Sequence, residues 1–149
     1  LNIIFAADPE LERNTAKIVT HPEERGEWSK IDKAIRDSER KLLVINAKND
    51  RKIQVSLKSV AVIQSEDRFC NVRLITGESY LLNKRLKWVE DTLDSSDFLK
   101  INNQTMINLS YIREFSASNH ARIQVVLQDD SSYFVNRHYL KQFKGRLEC

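Results

Sequence analysis

Arg137, His138, Lys141, Lys144 and Arg146 fall within ten residues that contain no acid. Leu140, Phe143 and Leu147 recur at +3 and +4 through the same stretch, so a helix would put its apolar side on a core and its cations outside. A polyphosphate is the natural counterpart of such a face, and a solubilising surface is the plainer alternative. A second cluster, Lys84, Arg85 and Lys87, opens a helix over 84–93 that closes on Glu90 and Asp91. That order opposes the helix dipole, and it becomes favourable when an external anion docks at the start. Ordinary solvated lysines explain the same pattern. A third feature is the amide run Asn102-Asn103-Gln104, which either stabilises a turn or offers groups matching the N6/N7 edge of adenine.

Chemistry of other kinds has little support. His21, His120 and His138 have no metal-ligand spacing, and no metal site is expected. Three scattered glycines cannot form a glycine-rich phosphate cradle. Cys70 could be imagined as a nucleophile with His120 or His138 as base, but no activating neighbour or oxyanion donor can be named, and a small buried strand residue is the plainer reading. The expectation is a protein that is not an enzyme and needs no cofactor. The sequons at Asn103 and Asn108 read as chance matches. Asp8, Asp32 and Asp37 do not form a phospho-accepting cluster.

The chain has 149 residues, 41% hydrophobic and 30% charged, with a formal net charge of +3. It is nearly balanced over 1–50 and basic over 51–149. This is globular composition, with room for one ordinary domain and a small annex. No stretch approaches the ~20 apolar residues of a membrane span, and the first residues lack the charged start of a secretory signal. Cys70 and Cys149 form neither a disulfide framework nor a zinc spacing, which suits a reducing cytoplasm.

Two short strands and a helix are expected in an annex over 1–45. Ile3–Ala6 and Ala16–Thr20 read as short strands. A helix starts at Pro22, with Trp28, Ile31 and Ile35 on one face, and ends near Ser38. That face is expected to pack as core, with a dimer seam as the alternative. From Leu42 onward a period of two takes over, with strands expected at Leu42–Asn46, Ile53–Leu57, Val60–Gln64, Phe69–Ile75, Tyr80–Leu82, Leu99–Ile101, Thr105–Leu109, Ile112–Phe115, Arg122–Gln128 and Tyr133–Val135. Two short helices interrupt them. The fold class is mainly β, antiparallel, with small helical inserts.

The run Phe98-Leu99-Lys100-Ile101-Asn102-Asn103-Gln104-Thr105-Met106-Ile107-Asn108-Leu109-Ser110-Tyr111-Ile112 resembles a signature of LytTR-type DNA-binding domains. Tyr133-Phe134-Val135-Asn136-Arg137-His138-Tyr139 is similar to their second signature, a strand feeding the last helix, and Val60–Glu66 with Phe69–Ile75 looks like their first recognition hairpin. The likeness covers roughly residues 50–147. It implies an elongated, multi-sheet β domain over 46–149 that reads successive major grooves through loops, in a bacterial, cytoplasmic, sequence-specific transcriptional regulator without a receiver domain. Its implied partner is double-stranded DNA with promoter repeats, bound as a homodimer or as paired monomers. A small membrane protein is a further regulator implied by stand-alone relatives.

Carried over residue by residue, base contacts fall to Arg68, Cys70, Asn71, Asn102, Asn103 and Arg137. Phosphate contacts fall to Lys84, Arg85, Lys87, Lys100, His138, Lys141 and Lys144. Relatives often carry a basic residue at Asn103 and serine at Asn136, and Glu66 and Asp67 add negative charge beside the first loop. The competing reading is a protein-interaction or sensory β module whose basic face meets an acidic partner without binding DNA.

Overall fold

The computed structural model describes residues 1–93 and 97–147. The chain divides into two units, Leu1–Ile35 and Arg36–Cys149. In the first, residues 1–21 form no strand. The expected strands at Ile3–Ala6 and Ala16–Thr20 are therefore corrected: two isolated short segments gain too little from pairing to offset their ordering entropy. The turn at Asp8-Pro9 is present, with the Glu10 amide donating to Asp8 Oδ1 at 3.0 Å.

The helix expected from Pro22 begins as a 3-10 turn, Pro22–Glu27, and becomes α-helical only at α1, Trp28–Glu39. Gly26 lies at the changeover, where its backbone freedom disfavours regular α-helix. None of α1 is buried. The Trp28 indole instead donates to Thr20 Oγ1 at 2.6 Å, with Arg25 over its ring at 5.7 Å.

The second unit contains all ten expected strands: β1 (Lys41–Ile45), β2 (Lys52–Ser56), β3 (Val60–Glu66), β4 (Phe69–Leu74), β5 (Ser79–Leu82), β6 (Phe98–Asn102), β7 (Thr105–Asn108), β8 (Ile112–Ser118), β9 (Arg122–Leu127) and β10 (Ser132–Val135). α2 is Leu86–Thr92, and α3 is Leu140–Leu147 after a 3-10 turn at Arg137–Tyr139. The strands form a seven-stranded sheet, β2-β1-β5-β4-β3-β7-β6, and a three-stranded sheet, β10-β9-β8. Every pairing is antiparallel. Because β1 pairs with both β2 and β5, it belongs to the β unit, and the division falls ahead of the expected boundary at residue 45.

The large sheet is buried on both faces near β3, which explains the unbroken apolar run Val60–Ile63. Val60 and Ile63 join one core with Val44, Cys70, Val72 and, from α2, Leu86 and Val89. Ala61 and Val62 join the other, with Ile101, Ile107, the inner residues Ile123, Val125, Leu127 and Val135 of the small sheet, and Phe143 of α3. A register shift between Val60 and Val62 breaks the pleat alternation and lets the adjacent Ala61 and Val62 face the same core.

Three polar links tie these layers. Buried Asn108 donates to the Val60 carbonyl at 2.9 Å and accepts from the Ser110 amide at 3.1 Å, so its place in the sequence signature is structural. The Tyr111 hydroxyl donates to the Lys58 carbonyl at 2.6 Å. Arg73, projecting from β4, bonds Asp129, Ser131 Oγ at 2.9 Å and the Tyr133 hydroxyl at 2.7 Å, which joins the large sheet to the small one.

Candidate nucleic-acid interface

The register fixes which loops share an end of the large sheet. Gln64 of β3 lies opposite both Asn71 of β4 and Thr105 of β7. The Asp67-Arg68 turn and the Asn103-Gln104 turn therefore stand side by side, joined by the Ser65 amide donating to the Gln104 carbonyl at 2.8 Å. Cys70 lies opposite Leu82, which brings the Asn83–Arg85 segment to the same end.

The small sheet delivers the third loop. The Asn136 amide donates to the Ile101 carbonyl at 2.9 Å, and Asn102 Nδ2 donates to the Phe134 carbonyl at 3.2 Å. Arg137 thus begins its 3-10 turn immediately beyond an anchored residue. The Tyr139 hydroxyl, two residues on, donates to Asn103 Oδ1 at 2.7 Å. Three segments distant in sequence meet at one edge.

Within that edge the sequence-derived residues separate by role. Arg68, Asn103 and Arg137 are exposed. Asp67 adopts a left-handed φ of 63°, which closes the two-residue turn that presents Arg68. Asn103 keeps Nδ2 without a partner among the described residues, and its oxygen has a second lone pair, so the paired contact with adenine stays chemically available. Arg137 presents a guanidinium suited to guanine O6/N7.

Two assignments change. Cys70 is fully buried in the first core, where burial and then the nearby Glu66 charge push its thiol above the usual range. As an inward residue of β4 it cannot touch a base. Asn102 uses both ends of its amide internally, accepting from the Gln104 amide at 3.0 Å as well as donating to Phe134, so it shapes the turn. Asn71 is half-buried within β4, behind the turn.

The cations also divide. Lys84 and Arg85 are exposed, and Arg85 caps α2 without a side-chain bond. Lys84 lies over the Trp88 ring at 5.2 Å. Lys87 faces Asp91 at 3.4 Å, and α2 is only seven residues long, so the dipole conflict expected there is local and partly compensated. Lys100 is held by Glu90 at 3.2 Å and lies 6.0 Å from the Tyr139 ring centre. His138, Lys141 and Lys144 are exposed, and Lys144 also suits the negative end of the α3 dipole.

Glu90, Tyr139 and Arg122 were not among the sequence-derived site residues. Arg122, stacked on Phe134 at 4.3 Å, starts β9 beside the end of β10 and adds a cation near this edge. Tyr139 was visible as part of the second signature, but its link to Asn103 spans 36 residues and leaves no periodic trace.

Among the described residues no helix is long and apolar enough to cross a membrane, and no group of three metal-ligating side chains is found. The LytTr DNA-binding domain family matches residues 50–148. The sensory transduction protein LytT of Bacillus subtilis is 28% identical over 93 residues, covering 62% of this chain and 38% of that protein. The sensory transduction protein LytR of Streptococcus agalactiae is 25% identical over 99 residues, covering 66% and 40%. The chain therefore spans at most about 40% of the length of these relatives. A solved LytTr DNA-binding domain from Bacillus cereus shares the fold with a TM-score of 0.67 at 15% identity, covering 74% of this chain and 99% of that one. The family match, the antiparallel β architecture and the shared fold agree: the chain belongs to the LytTr DNA-binding domain family.

Proposed function

We propose that this chain is a sequence-specific DNA-binding transcriptional regulator that reads the major groove through loops of its β unit. The observation that supports this reading best is the meeting of Arg68, Asn103 and Arg137 at one sheet end, through hydrogen bonds between segments far apart in sequence. Arg137 and Asn103 are the base readers. Lys84, Arg85, Lys141, Lys144 and His138 contact phosphates and position the protein without specifying sequence. The family membership and the names of the sensory transduction relatives point the same way.

Fluorescence anisotropy on promoter fragments across a salt series tests this. Neutralising about 4–6 phosphates gives log K against log salt a slope of about −4 to −5, with one fragment preferred. A flat salt response with no preferred fragment rejects the function.

A further inference from the structure

A groove of about 450 Å³ opens between β1, the end of β5 and α2, with Asn83 and Lys84 at its rim. Its walls include Leu43, Ile45, Leu82, Trp88 and Leu93. Leu43 is 54% exposed and Trp88 is 37% exposed, so part of this apolar lining stands in water outside both cores. The rim is cationic, with Arg40, Lys41, Lys52 and Lys84 among the lining residues and no carboxylate among those described. Arg40 is positioned by the Thr92 carbonyl at 3.1 Å and lies 3.9 Å from Asp37.

Size and charge together select the occupant. The volume lies within the roughly 300–1,000 Å³ range of small-molecule sites. An apolar floor beneath an acid-free basic rim matches a molecule with an apolar body and one negative head.

We infer that this groove binds a small amphiphilic organic carboxylate, its body against Leu43 and Trp88 and its head among Lys41, Lys52 and Lys84. Lys84 is also a proposed phosphate contact, but the test uses no DNA, so failure of this assignment and failure of DNA binding are distinguishable.

In a Trp28→Phe background Trp88 is the sole tryptophan, and its emission reports on the groove directly. Decanoate below its micellar concentration is titrated into the full chain, with decanol as the uncharged control and calorimetry as the second readout. The expected result is saturable one-to-one binding of decanoate, at least tenfold tighter than decanol. The double substitution Lys41→Gln/Lys52→Gln weakens decanoate fivefold or more and leaves decanol unchanged. Leu43→Asp removes both, at an unfolding temperature close to that of the parent. Absence of saturable binding, or equal affinity for decanol, overturns the assignment. So does binding confined to anionic vesicles, which would make the groove a lipid-surface contact. A dimer that Leu43→Asp converts to monomer in sedimentation also overturns it, since a second copy would then be the occupant.

Discussion

The Tyr139 hydroxyl donates a 2.7 Å hydrogen bond to Oδ1 of Asn103, linking the turn before the last helix to the β6–β7 turn. It aims the Asn103 amide from a position that carries Arg137 two residues earlier. Tyr139→Phe removes the aim and keeps the ring. DNA affinity is expected to fall by about 0.5–1.5 kcal/mol, the ordinary net worth of one hydrogen bond. In a double-mutant cycle with Asn103→Ala, most of that loss should vanish; additive losses would show that the two residues act separately.

Arg137 and Lys141 are adjacent turns of one segment with different proposed duties. Arg137→Ala is expected to cost about 1–3 kcal/mol and to relax discrimination at a single base pair. Lys141→Ala should weaken all sequences alike and reduce the salt slope by about 1. Identical behaviour of the two variants, measured by anisotropy on a panel of single-base substitutions, would refute the division into base and phosphate contacts.

Lys100 is not a free cation in this structure, since Glu90 holds it at 3.2 Å. Contact with a phosphate requires it to leave or share that partner. Glu90→Gln should therefore tighten DNA binding severalfold at low salt and steepen the salt slope by up to about 1. Unchanged affinity and slope would assign Lys100 a purely structural role.

The Arg73–Asp129 pair carries a pH signature. Burial opposes the charge on Asp129, but the bonds from Ser131 and Arg73 outweigh it and hold the carboxyl below its ordinary value of 3.8. Arg73 is likewise disfavoured by burial and raised on balance by Asp129 and Tyr133. A depressed carboxyl stabilises the fold fully above its unfolded value, and that contribution disappears as pH falls through the folded one. Asp129→Asn is expected to cost about 1.5–3 kcal/mol at neutral pH, the range for hydrogen bonds to charged groups. Urea unfolding should show the difference shrinking below pH 4; a constant gap would show that the carboxylate's charge is not what matters.

The strands were legible because period-two alternation and Asn/Asp/Ser turn signals are local properties, written wherever one strand face meets a core. Residues 3–6 and 16–20 carry similar residues without being strands, since strand formation needs a partner edge that local pattern does not reveal. The family resemblance carries Cys70 over with the first loop, yet the pleat turns it inward to a fully buried position. Asn102 and Asn103 are neighbours of one chemical type. Only the position of the Phe134 carbonyl and the Tyr139 hydroxyl separates the residue that builds the turn from the one that faces out.

By itself the sequence determined that the β unit is antiparallel, where its turns fall, and which cations and amides lie at them, because these follow from side-chain type and short-range spacing. Tertiary structure alone decided that three such turns share an edge, that Lys100 answers to Glu90, and that Leu43 and Trp88 line one groove. Those outcomes depend on strand order and on hydrogen bonds across 30 or more residues, or on packing between elements, and a linear pattern encodes neither.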